Sequence, residues 1–278
     1  MATLPDALPV FDHSVNLSTA PRVWAIAAIH GQAEILARLH DAVGARFVPG
    51  DRLVYLGNVL GGGDVAGTLA ELLRFRRSVL ALPPLYLPED VVFLRGRQEE
   101  MWHKLLQIHF APKPKDLLTW MLSRGVDATL AAYGGDRDQG FAAAAEGMVA
   151  LTRWTARLKA AMQAVPGHQP WFADLRRYAH TGPGGVLFVH AGLDPTRPLA
   201  EQRDAFWWES GAFAGAAGGY AGFARIVRGF DPDGGGWRED GAALTIDSGC
   251  GRGGGLTAVC FAPSGEILDR VDAAAPAA

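Results

Sequence analysis

The first third of the chain alternates short, continuous apolar runs with segments of helical periodicity. Mostly apolar runs cover residues 23–29, 51–58 and 91–94, and a glycine lies within two residues of the end of each run. Between them, apolar side chains recur on one face over residues 32–43 and 65–78, which is the spacing of an amphipathic helix. Strand, helix, strand, helix and strand in this order predict an α/β domain with parallel strand pairing. Functional loops are then expected after the carboxyl ends of the strands.

In the remainder of the chain the predicted secondary structure changes from mostly helix to mostly strand. Residues 99–175 have mostly helical spacing, although the alanine- and glycine-rich residues 134–147 are also consistent with a loop. Apolar strand patterns return from residue 185 onward. The last two patterns, residues 243–246 and 256–261, are joined by glycine-rich sequence and are predicted to pair as antiparallel strands.

Composition limits the class of protein. The chain has 278 residues with 49% hydrophobic content, which suffices for one large core, and its formal net charge of -3 does not favour a nucleic-acid binder. Two cysteines predict neither a disulfide framework nor a zinc cluster. Without an apolar run of about 18 residues or a signal-peptide pattern, we expect a cytoplasmic protein with no membrane partner. The predicted division is an irregular arm over residues 1–20, one domain over 21–271 and a flexible tail over 272–278.

Motifs at the strand ends resemble those of a known family. Phe-Leu-Arg-Gly-Arg-Gln-Glu-Glu-Met at residues 93–101 resembles Phe-Leu-Arg-Gly-Asn-His-Glu-Glu-Met of the calcineurin-like metallophosphoesterases, in particular bacterial serine/threonine phosphatases and diadenosine tetraphosphatases. Phe-Val-His-Ala-Gly-Leu at residues 188–193 matches a second family motif. Residues 120–133 resemble the Trp-x-x-x-Gly-Gly-x-x-Thr-Leu-x-x-Tyr-Gly segment of the bacterial members. Further segments agree in order and spacing: residues 27–31, 50–63, 227–232 and 246–259.

The resemblance implies a fold and a metal centre. The fold would be an α/β/β/α sandwich of four layers with two mixed β-sheets. In the family, two adjacent metal ions clamp a phosphate and activate a water or hydroxide. The resemblance assigns metal ligands to six positions, which are occupied here by Ala28, His30, Asn58, Arg97, His190 and Phe230. Only the two histidines can serve as they stand, because alanine and phenylalanine have no donor atom and arginine is permanently positive.

The catalytic positions implied by the resemblance are also changed. Gln98 stands at the position of the family's general acid, a histidine, and Gly61 at that of its orienting aspartate. Gly62 and Glu209 stand at the positions of two phosphate-binding arginines. Since removal of one electrostatic stabiliser typically costs ~10²–10³ in rate, little of the family's hydrolysis is expected to survive.

Several alternatives stay open for these residues. His30 and His190 either hold a single Mn, Fe or Zn ion or are strand-end histidines satisfied by backbone groups. Arg97 either fills the vacated metal position, where it would bind an anion, or points to solvent. Asp64 and Asp231 are acidic residues that would restore a ligand if a loop shifted.

These observations lead to two functional hypotheses. The first is a pseudophosphatase: a degenerate phosphoesterase-fold protein that needs no cofactor and uses the former active-site cleft to bind a phosphate-containing small ligand or a protein partner. The alternative is an active metal-dependent phosphoesterase that acts on phosphoproteins or dinucleoside polyphosphates. A metal ion bound in the cleft would distinguish the second from the first.

Overall fold

The structure, a computed structural model, describes residues 14–209 and 211–275. Within these ranges the strands form two sheets, one of six strands in the order β1-β5-β6-β7-β9-β8 and one of five in the order β11-β10-β2-β3-β4. The strands are β1 Ser14–Asn16, β2 Val23–Ile26, β3 Arg52–Tyr55, β4 Val91–Phe93, β5 Tyr178–His180, β6 Val186–Val189, β7 Arg225–Arg228, β8 Arg238–Asp240, β9 Ala243–Thr245, β10 Leu256–Phe261 and β11 Ile267–Ala273.

Helices account for most of the sequence between β4 and β5. The α-helices of the described ranges are α1 Ala33–Gly44, α2 Val65–Leu80, α3 Arg97–Leu105, α4 Pro114–Leu122, α5 Val126–Ala132, α6 Arg137–Glu146, α7 Met148–Ala164, α8 His168–Ala173 and α9 Ala205–Trp208. Short 3₁₀ segments cover Pro88–Asp90, Ile108–Phe110, Leu199–Glu201 and Gly211–Gly218. Within the same described ranges, none of these helices has the length and apolar character needed to cross a membrane.

Both sheets are mixed, as predicted. In the five-stranded sheet β2, β3 and β4 run parallel, whereas β10 is antiparallel to β2 and to β11. In the six-stranded sheet β6, β7 and β9 run parallel, and β5 and β8 are antiparallel to their neighbours β6 and β9. The sheets share one core, in which the rings of Phe188 and Phe261 meet edge to face at 5.7 Å. Strands β2 and β10 are buried along their whole length because both faces of the sheet are covered there.

The structure corrects two predictions about secondary structure. Residues 134–147 are not a loop, because α6 begins where Asp136 accepts a hydrogen bond from the Gln139 backbone at 2.9 Å and continues through alanines, which are strong helix formers. Strands β9 and β10 do not pair with each other. They lie in different sheets, and the antiparallel partner of β10 is β11, a strand that the sequence pattern did not reveal.

The predicted arm and tail also contain ordered strands. Ser14–Asn16 form β1, which pairs in parallel with β5. The prediction of an irregular arm over residues 1–20 is therefore wrong for these three residues. Asp272 and Ala273 belong to β11 rather than to a flexible tail, and the Thr257 hydroxyl donates to Asp272 at 2.5 Å. The parts of these two predictions that concern residues 1–13 and 276–278 lie outside the described residues.

Candidate functional site

The loops after β2, β3, β4, β6 and β7 meet at one end of the sandwich, at the place where the resemblance puts the active-site cleft. The backbone N–H of His30 donates to Asn58 O at 2.7 Å, and that of Ala28 donates to Gly229 O at 2.9 Å. The N–H of Phe230 donates to His190 O at 3.0 Å. These bonds bring together loops from both sheets. The six positions that the resemblance assigns to metal ligands therefore lie close together in the structure.

A buried carboxylate holds two of these loops in position. Glu99 is 1% exposed and accepts hydrogen bonds from the backbone N–H groups of Asn58, Leu60 and Gly96 at 2.8–2.9 Å. Burial raises the pKa of Glu99, and these N–H groups oppose that rise. The sequence analysis gave Glu99 no role. The sequence feature that could have identified it is its place as the third residue of α3, the helix that follows Gly96.

Phe230 fills the centre of the cleft. Its ring lies nearly parallel to that of His190, with centroids 5.3 Å apart and 8° between the planes. The ring of His30 is also 5.3 Å away, tilted by 54°. Ala28 and Ala191 complete a small apolar cluster with Phe230. The middle of the site is therefore packed with hydrocarbon where the resemblance places ligand atoms.

Hydrogen bonding fixes the tautomer of His190. Its Nδ1 is 2.7 Å from Leu56 O, and because a carbonyl only accepts, Nδ1 carries the proton and Nε2 the lone pair. His190 is fully buried, and Nε2 has no hydrogen-bond partner among the described residues. Burial lowers the pKa of His190 to about 3, so the ring is neutral at pH 7. Backbone satisfaction, one of the alternatives for this histidine, thus holds for only one of its nitrogens.

Asn58 presents a donor to the cleft. Its Oδ1 accepts from the backbone N–H of Gln98 at 2.9 Å, so its Nδ2 is the atom that faces His30 Nε2 at 3.4 Å. Burial, followed by the charges of Arg252 and Arg97, lowers the pKa of His30 to about 4, so His30 is a neutral acceptor at pH 7. Asn58 therefore presents an amide N–H group at the position where the resemblance places a bridging carboxylate, which is an acceptor.

Arg97 turns into the cleft and is half-buried there rather than pointing to solvent. Its Nε donates to Trp207 O at 3.1 Å, and its guanidinium carbon lies 5.2 Å from the ring centroid of Phe230 and 5.1 Å from that of Trp208. Burial and then the charge of Arg124 lower the pKa of Arg97, and Asp233 opposes this. No carboxylate of the described residues lies within ion-pair distance of Arg97. The aromatic rings of Trp208 and Phe230 therefore stabilise the charge of Arg97 by cation–π contact.

A second arginine, which the sequence analysis missed, reaches the same phenylalanine ring. The guanidinium carbon of Arg252 is 5.5 Å from the Phe230 centroid, and Nη2 donates to Asp247 at 2.6 Å. Nη1 donates to Asp231 O at 3.1 Å. Arg252 stands in the glycine-rich turn after residues 246–249, a motif that would have located it near the cleft. Unlike Arg97, it is neutralised by its carboxylate partner.

The two acidic residues considered as replacement ligands are engaged elsewhere. Asp231 is 1% exposed and forms an ion pair with the buried Arg228 at 2.9 Å. Asp64 caps the first turn of α2, where it accepts from the Gly67 N–H at 2.9 Å. Neither carboxylate is available for a metal ion without breaking these bonds.

The residues present do not fit a dinuclear metal centre. The available donors are the imidazoles of His30 and His190 and the amide of Asn58, with no carboxylate to neutralise two cations. Within residues 14–209 and 211–275, no group of three or more histidine, cysteine, aspartate or glutamate side chains is placed to hold a metal ion. The guanidinium group of Arg97, which lies against the Phe230 ring, adds a charge that repels a metal ion.

The remaining catalytic positions have structural contacts. Gln98 donates its side-chain amide to Arg124 O at 2.7 Å, and its Oε1 is buried without a partner among the described residues. A side chain at Gly61 would lie 2.8 Å from the Gln98 side chain, so glycine makes room for this glutamine. Glu209 accepts from the Ala212 N–H at 3.1 Å and lines a surface cavity of about 400 Å³ with Trp208.

Comparisons with known proteins identify the fold. No protein-family model and no curated protein sequence matches this chain. A serine/threonine phosphatase from Saccharomyces cerevisiae with similarity to human phosphatase PP5 matches with 14% identity over 95% of this chain and 84% of that chain, at a TM-score of 0.54. A provisionally assigned diadenosine tetraphosphatase matches with 21% identity over 93% and 96% (TM-score 0.49), and a Sphaerobacter thermophilus metallophosphoesterase with 15% over 91% and 88% (TM-score 0.41). At these identities the likeness shows the fold alone, and the predicted metallophosphoesterase sandwich is confirmed.

Proposed function

We propose that this chain, which has the calcineurin-like metallophosphoesterase fold, binds a phosphate-bearing anion in its cleft and does not hydrolyse it. The observation that carries the proposal is the centre of the cleft, where Phe230 takes the space of a metal ligand and Arg97 lies against its ring. Both Arg97 and the Asn58 amide offer hydrogens where the family needs lone pairs. The site has changed from one that binds cations to one that binds anions.

Hydrolysis by the family mechanism lacks two of its requirements. Activation of water needs metal ions, and the donor set of the cleft does not fit two of them. Protonation of a leaving group needs an acid, whereas the amide of Gln98 does not transfer protons near neutral pH. That amide is also held by Arg124 O at 2.7 Å, away from a reacting group.

Binding of an anion is supported by charge and by available donors. The Nη1 and Nη2 groups of Arg97 have no acceptor among the described residues, so they can form charge-assisted hydrogen bonds with phosphate oxygens. Burial is the first cause of the lowered pKa of His30, and the charges of Arg252 and Arg97, which lower it further, contribute a positive potential at this ring. Such a potential acts strongly because the surrounding rings exclude water.

Thermal unfolding in the presence of inorganic phosphate tests the binding. We expect the melting temperature of the unmodified protein to rise with phosphate concentration, since a ligand that binds only the folded state stabilises it. The rise should be lost in Arg97→Ala. Arg157→Ala, which removes an exposed arginine on α7, is the matched control and should keep the rise. No rise in the unmodified protein would contradict the proposal.

Turnover of p-nitrophenyl phosphate tests the absence of hydrolysis. With Mn²⁺ added, we expect the purified protein to give no more product than its His190→Ala variant. Turnover that this substitution abolishes would favour the alternative, an active metal-dependent phosphoesterase.

A further inference from the structure

We infer that Arg124 is a second cation of the anion site, and that Arg97 and Arg124 together bind the dianion of a phosphate monoester. This inference rests on the proposed function, which it extends from a general anion to one class of ligand. The resemblance assigns no role to Arg124, which precedes α5 in the turn between α4 and α5.

The turn that carries Arg124 forms a wall of the cleft. The side-chain amide of Gln98 donates to Arg124 O at 2.7 Å, and the backbone N–H of Gly62 approaches Gly125 O at 3.5 Å. A side chain at Gly125 would contact both Gln98 and the Gly62 backbone. The turn is therefore packed against two loops of the cleft.

The guanidinium groups of Arg124 and Arg97 each lie against a tryptophan ring, and the two tryptophans are neighbours. The guanidinium carbon of Arg124 is 4.5 Å from the ring centroid of Trp120, and that of Arg97 is 5.1 Å from the centroid of Trp208. The two tryptophan rings contact each other, with centroids 5.5 Å apart. Stacking on aromatic faces holds a guanidinium group in a defined orientation and leaves its edge open to an oxyanion.

Neither arginine has an acidic partner within residues 14–209 and 211–275. Among the described residues, the one hydrogen bond of the Arg124 side chain goes to the Ser123 hydroxyl at 3.4 Å, and that of Arg97 goes to a backbone carbonyl. Lys104, whose ammonium group is 6.0 Å from the Trp208 ring, pairs with Glu100 at 3.3 Å. Two unneutralised guanidinium groups repel each other, and an anion between them would relieve that repulsion.

The position of Arg124 also explains how an arginine lost elsewhere is replaced. The resemblance places a phosphate-binding arginine at Gly62, and the Gly62 backbone lies against Gly125, the residue after Arg124. A guanidinium group missing from one loop is thus supplied by the neighbouring turn. Two such groups carry two positive charges, which match a phosphate monoester dianion better than a phosphate diester with its single charge.

Calorimetric titration of the full chain with phenyl phosphate and with dimethyl phosphate tests the assignment. We expect phenyl phosphate to bind more tightly than dimethyl phosphate. Arg124→Ala should lower the affinity for phenyl phosphate about tenfold to hundredfold, which is the range expected for the loss of a hydrogen bond to a charged group. Arg157→Ala is the control and should change it less than about twofold. In the Arg97→Ala/Arg124→Ala double variant the two losses should not multiply, because both residues bind the same group.

Each outcome separates this inference from the proposal on which it rests. If neither phosphate nor phenyl phosphate binds the unmodified protein, both are wrong. If Arg97→Ala abolishes binding and Arg124→Ala leaves it unchanged, the anion site stands and the role of Arg124 is wrong. Equal affinity for dimethyl phosphate would overturn the dianion assignment. Arg124→Gln, which keeps a long polar side chain without charge, serves if the alanine variant does not fold.

Free O-phosphoserine and a phosphoserine peptide, titrated in the same way, distinguish a small-molecule phosphate from a protein-borne one. Both are expected to lose affinity in Arg124→Ala, and the tighter ligand identifies the source. Retention of full affinity for both in that variant would overturn the role of Arg124.

Discussion

Two histidines of the described part of the chain are fully buried, His40 in the helical layer and His190 in the cleft, and they differ in how many of their ring nitrogens are hydrogen-bonded. His40 Nδ1 is 2.6 Å from Glu71, its Nε2 is 2.8 Å from the Tyr55 hydroxyl, and its ring stacks on Phe75 at 4.0 Å. Both ring nitrogens have partners. This is the arrangement expected of a buried polar group whose purpose is structural.

His190 has the same kind of aromatic neighbour and half of the hydrogen bonding. Its ring stacks on Phe230, and Nδ1 is bound by Leu56 O, but Nε2 has no partner among the described residues. An unpaired buried nitrogen costs free energy and persists where something other than stability selected it. This difference supports the proposal that the cleft is a degenerate metal site, in which His190 keeps an unpaired nitrogen beside the ring of Phe230.

The largest expected effect is on the helical layer. His40→Leu would leave the Tyr55 hydroxyl unpaired in the interior, which costs about 1–3 kcal/mol, and would remove the contact of His40 with Glu71, which keeps its ion pair with Arg74. We expect the free energy of unfolding in urea to fall by about 3 kcal/mol. A loss of unfolding free energy below about 1 kcal/mol would show that His40 stabilises the fold no more than His190 does, and would contradict the difference between them.

The next effect concerns acidic pH. The pKa of His190 is about 3 in the folded chain because of burial, whereas an unfolded histidine titrates near 6.5. Below pH 6.5 the unfolded chain therefore binds a proton that the folded chain does not, and the stability falls by about 1.4 kcal/mol per pH unit for this residue until pH 3. Urea unfolding between pH 6.5 and 4.5 should show a shallower decline in His190→Leu than in the unmodified protein. Parallel declines would mean that His190 is protonated in the folded chain.

The smallest effect is expected for His190→Leu at pH 7. The substitution loses the hydrogen bond to Leu56 O but removes the unpaired Nε2 and keeps an apolar side chain beside Phe230. These contributions oppose each other, so the free energy of unfolding should change by less than about 1 kcal/mol. A loss as large as that of His40→Leu would show that His190 is a structural residue.

Sequence patterns predicted the layers of the fold and the meeting of the cleft loops because both follow from local features. Apolar runs and helical spacing mark β2 to β4, α1 and α2, and parallel strands bring their carboxyl ends together. The pairing of β10 with β11 was missed because the pairing of edge strands depends on contacts that short apolar runs do not encode.

The chemistry inside the cleft was harder to predict than its location. The substitution of Phe230 was visible in the sequence, but the stacking of its ring on His190 depends on two loops from different parts of the chain. The orientation of the Asn58 amide is set by the Gln98 backbone, 40 residues away. Arg124 and Arg252 lie in turns whose approach to the cleft is a tertiary property.

Calorimetric titration of Mn²⁺ into chelator-treated protein tests most directly whether the cleft has changed from a cation site to an anion site. We predict no binding with a dissociation constant below about 100 µM. Binding of one or two equivalents below that value, lost in His190→Leu, would contradict the account and identify the cleft as a working metal centre.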